Sequence, residues 1–182
     1  MVNKPKIKGT AAETALATYL QISGWPYAER RSLQGALDKG DITGTPGICW
    51  ESKVADAGFQ LSGWLRETET ERVNSRSDWG VLVCKPKGLG AARVDMWPAV
   101  MKQEQMDRLR QLAYDSCGSW TYDTVIPAPK IADIMSILKT WPRRAALYCP
   151  PGHRSQPEDW YVAVRLNVMV ELLRQAGYGS PL

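Results

Sequence analysis

Two short apolar runs, residues 48–54 (ICWESKV) and 79–85 (WGVLVCK), are each bounded by turn-forming residues. Both have the length of a buried strand. Residues 59–74, between the two runs, have the spacing of an amphipathic helix, and its apolar side is formed by Leu61, Trp64, Leu65 and Thr68. Strand and helix patterns that alternate in this way predict an α/β domain around a mixed sheet.

Further elements fit the same pattern. Helices are predicted from Thr10 to Gly24 and over 102–114, and strands over 27–32 and 93–97. Residues 1–9 are basic, and we expect them to be loosely held. Beyond Asp115 the pattern predicts strands over 124–127, 145–149 and 160–166, with helices over 129–141 and 167–177.

We therefore predict a core over residues 1–112 and a C-terminal α/β extension over residues 113–182. The sequence leaves open whether the extension is a second lobe or adds further layers to the same sheet.

The net charge of +4 and the pI near 8.9 give a mild preference for anionic partners, which fits nucleic acid. Cysteines lie 32 to 35 residues apart with no CxxC pair, which argues against a zinc site. The N-terminal residues show no apolar signal region, and no run of about 20 apolar residues occurs. We expect a cytoplasmic protein with reduced thiols, without membrane contact.

The chain lacks the motifs of several enzyme classes. There is no GxxxxGK[ST] loop, so a nucleotide cofactor is not expected. There is no GxSxG elbow for a serine nucleophile. His153 is the only histidine, and its place in the Pro-rich segment CPPGHRSQP predicts an exposed loop residue.

The segment KGDITGTPGICWESK, residues 39–53, concentrates charge beside a predicted buried strand. Because side chains alternate along a strand, Cys49, Glu51 and Lys53 share one face. A short hairpin through Thr45–Gly47 brings Asp41 alongside Glu51. Two converging carboxylates suit Mg²⁺, which also takes water and substrate phosphate as ligands. A neighbouring lysine can orient or deprotonate the attacking water, so the set predicts phosphodiester hydrolysis.

This D…ExK set resembles the PD-(D/E)XK nuclease superfamily, and in particular archaeal-type and bacteriophage Holliday junction resolvases. The resemblance covers about residues 7–100 and includes KGTAAE with Glu13, then RRS, GDITG and WESK in order, followed by GWLRE and WGVLVCKPKG. Gly40 stands in the place of the superfamily's eponymous proline, which is often missing in its members. The resemblance implies a restriction-endonuclease-like core, a mixed central sheet flanked by helices.

The resemblance also implies an activity and a site. The activity is that of a Mg²⁺-dependent, structure-selective DNA endonuclease, with Mn²⁺ as a substitute, acting on branched DNA in recombination and repair in a bacterial cell or phage-infected host. Asp41 and Glu51 would hold the metal, Glu13 would complete the site directly or through water, and Lys53 would assist the attack. A junction needs two matched nicks, so a homodimer is expected, with the helix around Trp64 in its interface. DNA-backbone contacts are expected from Lys6, Lys8, Arg30, Arg31, Ser32, Lys85 and Lys87.

Other interpretations of the same residues remain open. Glu51 and Lys53 can form an ordinary ion pair on an edge strand, and Asp41 can serve only as a turn residue. Glu13 fits a capping box with Thr10, although it also shares a helix face with Leu16. A restriction-type or repair nuclease, or a non-catalytic binding protein with a nuclease-like fold, remains an alternative to the resolvase function.

Overall fold

The computed structural model describes residues 4–32, 38–56, 58–119, 121–122, 124–150, 152 and 159–180. It is an α/β fold in which helices flank both faces of a mixed, six-stranded central sheet. The predicted α/β class and mixed sheet are therefore confirmed. The helices are α1 Lys4–Ile22, α2 Leu61–Ser75, α3 Gln103–Cys117, α4 Ile131–Thr140 and α5 Leu166–Gln175. The strands are β1 Glu29–Arg30, β2 Ile42–Thr43, β3 Ile48–Ala55, β4 Trp79–Pro86, β5 Pro98–Lys102, β6 Val125–Ala128, β7 Ala145–Tyr148 and β8 Tyr161–Arg165.

The central sheet has the strand order β3-β4-β5-β8-β7-β6. Strands β3 and β4 are parallel, as are β6 and β7, and the other neighbours are antiparallel. Helix α2 connects β3 to β4, and a parallel pair needs a crossover of this kind. Strand β3 is the terminal strand of this order, and the small antiparallel pair β1–β2 lies beside it.

Each face of the sheet has its own apolar core. Helices α1, α3 and α5 cover one face, where Trp50 packs edge-on against Trp25 with ring centroids 6.3 Å apart. Helices α2 and α4 cover the other face, where Leu61 and Leu65 meet Leu82 of β4. Because alternate residues of β3 face opposite cores, Ile48 and Trp50 point toward α1 while Glu51 and Lys53 lie on the α2 side.

Helix α1 begins earlier than expected. The basic residues 4–9, predicted to be loosely held, form its first turns. Pro5 lies in the first turn, where a missing N–H removes no helical hydrogen bond. Thr10 is consequently inside the helix, and its carbonyl accepts a hydrogen bond from the Thr14 hydroxyl at 2.8 Å. The capping-box interpretation of Glu13 is therefore wrong, because Thr10 is not the residue that begins the helix.

Two of the predicted strands differ in the structure. The segment RVDMW, residues 93–97, was predicted as a strand, but Ala91–Met96 form a 3₁₀ helix and β5 begins at Pro98. The two buried residues of this segment, Val94 and Trp97, are three residues apart, which fits the period of a 3₁₀ helix. The strand predicted over 27–32 is reduced to Glu29–Arg30, which pair with Ile42–Thr43.

Residues from the predicted C-terminal extension supply three strands of the central sheet. Strand β8 lies between β5 and β7, and α5 packs against α3 and the 3₁₀ helix. The backbone N–H of Ser180 donates to the Gly24 carbonyl at 2.6 Å, next to the end of α1. His153 lies outside the described residues. Among the helices that the structure describes, none has both the length and the apolar character needed to cross a membrane.

Candidate functional site

Glu51 and Lys53 lie on the α2 side of β3. Glu51 is 5% exposed, and its Oε1 atom is 2.6 Å from the ammonium nitrogen of Lys53. The same nitrogen is 2.9 Å from Oε2 of Glu67 on α2. Lys53 therefore lies between one buried and one exposed carboxylate. Glu51 and Lys53 do form the ion pair that an ordinary edge strand could contain, but Glu51 also has other charged neighbours.

Asp41 is held beside Glu51 by the backbone. Its N–H donates to the Trp50 carbonyl at 2.8 Å, and its Oδ2 atom accepts from the Ser52 N–H at 2.8 Å. These two bonds attach the segment before β2 to the outer edge of β3. Gly40 precedes Asp41 with φ +86°, and a Cβ there would lie 2.8 Å from both the Cys49 Sγ atom and the Trp50 carbonyl oxygen. Glycine is thus needed to bring Asp41 this close to the strand.

The surroundings of Asp41 and Glu51 disfavour the ionised form of both carboxyl groups. Burial, together with the neighbouring Glu51 charge, raises the pKa of Asp41 to about 7. Burial also raises the pKa of Glu51 to about 8, even though Lys53 acts in the opposite direction. The carboxyl groups of Asp41 and Glu51 lie within hydrogen-bonding reach of each other. The single positive charge of Lys53 does not balance the negative charges that Asp41 and Glu51 carry when ionised. An additional positive charge would therefore be favourable at this site.

Lys53 remains a cation in this environment. Burial acts to lower the pKa of Lys53, but the charges and hydrogen bonds of Glu51 and Glu67 outweigh it and raise the pKa above its ordinary value. A protonated lysine here can stabilise negative charge on a phosphate or orient a water molecule.

Glu13 reaches the site from α1, on the other side of the sheet edge. Its Oε2 atom is 2.5 Å from the Nε atom of Arg30, and its charge contributes to the raised pKa of Asp41. Arg31 donates its backbone N–H to the Asp41 carbonyl at 2.7 Å and its Nε to the Gly40 carbonyl at 3.0 Å. The charge of Glu13 therefore acts on Asp41, while its carboxylate pairs with Arg30, and Arg31 is bonded to the backbone at Gly40 and Asp41.

The basic residues predicted to contact DNA form two groups. Lys8 pairs with Asp56 at 2.5 Å, and this hydrogen bond, with the charges of Lys8, Lys85 and Lys87, lowers the pKa of Asp56. These three lysines, the lysine cluster, therefore lie around the end of β3 that follows Lys53. Asp56 comes three positions after Lys53, which corresponds to roughly 10 Å of extended chain.

The second group is Arg30, Arg31 and the exposed Ser32, on the other side of Asp41. Lys6 is exposed on the first turns of α1. The acidic residues thus lie between two groups of cations, an arrangement suited to a phosphate backbone that passes over them.

The sequence analysis missed Glu71. This residue of α2 is 5% exposed, and its carboxyl group lies within hydrogen-bonding reach of Glu51. A signal for it was present, because the buried positions Leu61, Leu65 and Thr68 continue at residue 71 with helical spacing. A carboxylate at the end of an apolar stripe marks a position that packing alone does not explain.

The donor chemistry of Asp41 and Glu51 fits a hard divalent cation. In the part of the chain that the structure describes, no group of three or more His, Cys, Asp or Glu side chains is arranged to hold a metal ion as it stands. Mg²⁺ needs only one or two protein carboxylates, since waters and substrate phosphate complete its shell. Burial is the main cause of the raised pKa values of both carboxyl groups, and a cation at this position would favour their ionised forms.

Comparisons of the chain with protein-family models, with curated protein sequences and with solved structures found no match.

Proposed function

We propose that the protein is a Mg²⁺-dependent DNA endonuclease with a PD-(D/E)XK, restriction-endonuclease-like core. The observation that carries the proposal is that backbone hydrogen bonds fix Asp41 to the strand that carries Glu51, with the Lys53 ammonium 2.6 Å from Glu51. The three residues come from the D…ExK pattern in the sequence, and the backbone bonds between Asp41 and β3 hold them at one point of the sheet edge.

In this function Asp41 and Glu51 hold the cation, and Glu13 adds a carboxylate directly or through water. Bound there, Mg²⁺ (or Mn²⁺) supplies Lewis acidity to the phosphate and acidifies a water ligand. Lys53 donates hydrogen bonds toward the attacking water and the phosphate oxygens, which stabilises the charge that develops in the transition state. Arg30 and Arg31 hold the DNA backbone on one side, and the lysine cluster holds it on the other.

The preferred substrate in this proposal is branched DNA, in particular a four-way junction, in a bacterial cell or phage-infected host. A symmetric homodimer would supply two sites for the two matched nicks. Trp64 of α2, expected in the dimer interface, is half-buried and packs against Phe59 with ring centroids 6.5 Å apart. It therefore has an intramolecular packing role that does not depend on a dimer.

A cleavage assay tests the proposal. Labelled four-way junction, fork and linear duplex are incubated with the protein in Mg²⁺ or in EDTA, beside Asp41→Asn and Lys53→Met. We expect paired symmetric nicks in the junction that disappear with EDTA and with either variant.

Two other results would favour a different function. Equal cutting of linear duplex would favour a restriction-type or repair nuclease on the same fold. Tight DNA binding without cutting of any substrate, and without a requirement for Mg²⁺, would mean that the protein is a binding module, and the nuclease proposal would be wrong.

A further inference from the structure

A groove lies beside the start of β3, whereas the lysine cluster lies around the other end of that strand. Its volume of about 470 Å³ is within the range of pockets that hold small ligands. Its walls, formed by Pro26, Tyr27, Pro46 and Tyr178, are apolar or aromatic, and Asp78 supplies a carboxylate. We call it the tyrosine groove. The proposed cation site uses none of these residues.

Glycines keep the tyrosine groove open. Gly47 has φ +78°, and a Cβ there would lie 2.7 Å from the Tyr178 ring and 2.9 Å from an oxygen of Asp78. A Cβ at Gly44 would collide with the Tyr27 carbonyl oxygen. Because glycine has no Cβ, the backbone approaches these groups closely and the space in front of them is left to a ligand.

Tertiary contacts hold the carboxylate of the groove in place. Tyr178 packs edge-on against the buried Trp79, with ring centroids 6.1 Å apart, and its hydroxyl donates to Oδ2 of Asp78 at 2.9 Å. The Asp78 backbone N–H donates to the Gly47 carbonyl at 2.9 Å. A carboxylate can accept about four hydrogen bonds, so Asp78 can also accept from a ligand in the groove.

Tyr27 connects the groove to the proposed DNA surface. It is 83% exposed, the largest exposed fraction among the large hydrophobic residues that the structure describes. Its carbonyl lies against Gly44, three positions after Asp41, which corresponds to about 10 Å of extended chain. Arg30 and Arg31 lie along the same stretch of the sheet edge. At the duplex spacing of about 3.4 Å per nucleotide, that distance is about three nucleotides.

We propose that the tyrosine groove holds an unpaired nucleobase of the DNA substrate, stacked on Tyr27 about three nucleotides from the scissile phosphate. The inference rests on the proposed endonuclease function. An exposed aromatic ring can stack on any base, since every base has a π-face. Arg30 and Arg31 lie on one side of the groove. Arg108, whose guanidinium stacks over the Trp79 ring at 5.5 Å, lies on the other, so cations are available to the phosphates on both sides of the base.

Asp78 makes the groove selective among bases. A carboxylate only accepts hydrogen bonds, and cytosine presents an amino group where thymine presents a carbonyl oxygen. We therefore expect unpaired cytosine to bind better than unpaired thymine. Asparagine at position 78 carries both an acceptor and a donor, so it can pair with either base.

Fluorescence anisotropy in EDTA measures DNA binding by the full chain without cleavage. The probes are labelled duplexes of one sequence that are fully paired or carry one unpaired cytosine or one unpaired thymine. The variants are Tyr27→Ala, Tyr27→Phe and Asp78→Asn. Trp141→Ala is the control, because Trp141 is an exposed aromatic residue at the end of α4. If Tyr27→Ala does not fold, as judged by circular dichroism, Tyr27→Leu replaces it.

We expect Tyr27→Ala to weaken binding of the unpaired-cytosine probe by about 5- to 150-fold, the range for the loss of one base–aromatic stack. Binding of the fully paired duplex should change by less than about twofold, since no phosphate contact is lost. Tyr27→Phe keeps the ring and should stay within about threefold of the wild type. The wild type should prefer unpaired cytosine to thymine by about 2- to 10-fold, and Asp78→Asn should remove that preference. Trp141→Ala should change none of these values.

Several results would overturn the inference. If Tyr27→Ala binds the unpaired-base probes normally while Lys87→Ala weakens binding to every probe, the groove holds no base and the proposed DNA function stays intact. If Tyr27→Ala weakens binding to all three probes equally, Tyr27 contacts the backbone and not a base. Equal affinity of the wild type for cytosine and thymine would remove Asp78 from base recognition.

Two further results would assign the groove differently. A change in the oligomeric state of Tyr27→Ala in analytical ultracentrifugation, with unchanged DNA binding, would make the groove a contact with a second copy of the chain. Absence of DNA binding by the wild type on every probe would overturn the proposed function and this inference together.

Discussion

The Oδ2 atom of Asp41 accepts a hydrogen bond from the Ser52 backbone N–H at 2.8 Å, so the side chain of Asp41 occupies the pairing edge of the strand that carries Glu51. One oxygen of Asp41 is thereby fixed, and the carboxyl group is directed toward its acidic neighbour. The same bond protects the edge of a terminal strand, which would otherwise expose an unpaired donor.

Asp41→Asn should make the protein inactive and more stable. Asparagine keeps an oxygen that can accept the hydrogen bond from the Ser52 N–H. It removes a carboxyl group whose pKa is raised to about 7 by burial, and with it the negative charge. In EDTA at pH 8 we expect the free energy of unfolding to increase by about 1–3 kcal/mol. Cleavage should fall at least about 100-fold. Urea denaturation measures the first effect; reduced stability of the variant at pH 8 would contradict the strained-carboxylate interpretation.

Stability should fall as the pH rises in the absence of divalent cations. The pKa values of Asp41 and Glu51 are about 7 and 8 in the folded protein, above their ordinary values of 3.8 and 4.5. The folded state therefore binds more protons than the unfolded state between about pH 4 and pH 8, and the free energy of unfolding falls through that window. Urea denaturation in EDTA from pH 5 to 10 should show this slope, with a plateau above about pH 9. A profile that rises from pH 6 to 8 would disagree with both shifts.

Mg²⁺ should stabilise the protein, and more so at pH 8 than at pH 6. A cation that binds only the folded state at 100 times its Kd adds about 2.7 kcal/mol. At pH 6 protons compete for Asp41 and Glu51, so the added stability should be smaller. Thermal unfolding with and without Mg²⁺ at both pH values measures the effect, and Asp41→Asn should lose most of it. An equal increase in Tm for Asp41→Asn would indicate that the cation binds elsewhere.

Lys87→Ala should weaken DNA binding and reduce its dependence on salt. Lys87 is exposed and belongs to the lysine cluster around Asp56. Loss of one phosphate contact should lower the slope of log K against log salt by about 0.9. Lys139→Ala is the matched control, because Lys139 is exposed at the end of α4, beside the strands farthest from β3. An equal change in both variants would mean that net charge, and not this surface, governs binding.

Arg76→Gly should stabilise the fold without affecting the site. Arg76 ends α2 with φ +54°, and it is the only described non-glycine residue with a positive φ. The left-handed conformation costs a side-chain-bearing residue about 1–2 kcal/mol, and the greater freedom of glycine in the unfolded chain offsets part of that. We expect a gain of about 0.5 kcal/mol in urea denaturation at unchanged m-value. A loss would show that the Arg76 side chain contributes contacts of its own.

The sequence indicated which candidate residues come together at the sheet edge, but it did not indicate which helix residues join them. Asp41, Glu51 and Lys53 follow from turn signals and strand alternation, which are local patterns. Glu71 was missed because its importance depends on which face of α2 meets β3, and that is decided by tertiary packing. The ion pair between Glu13 and Arg30 could not be predicted either, because it joins α1 to β1 and no sequence periodicity relates the two residues.

The fold class was predictable because strands and helices alternate, whereas several boundaries were not. Residues 4–9 were assigned outside the helix on account of their charge, although charge does not prevent helix formation in an exposed first turn. The five-residue alternation of RVDMW was too short to distinguish a strand from a 3₁₀ helix. The position of β8 between β5 and β7 carries no local signal at all.

That position of β8 sets an order for folding during translation. When the ribosome has released residues up to about 150, β5 has β4 on one side and an open edge on the other. The nascent chain can form the β3–α2–β4 unit, with Glu51 and Lys53 in place, before its sheet is complete. Open edges of this kind invite pairing with other chains, so chaperone protection should matter most in the interval before residues 161–165 emerge.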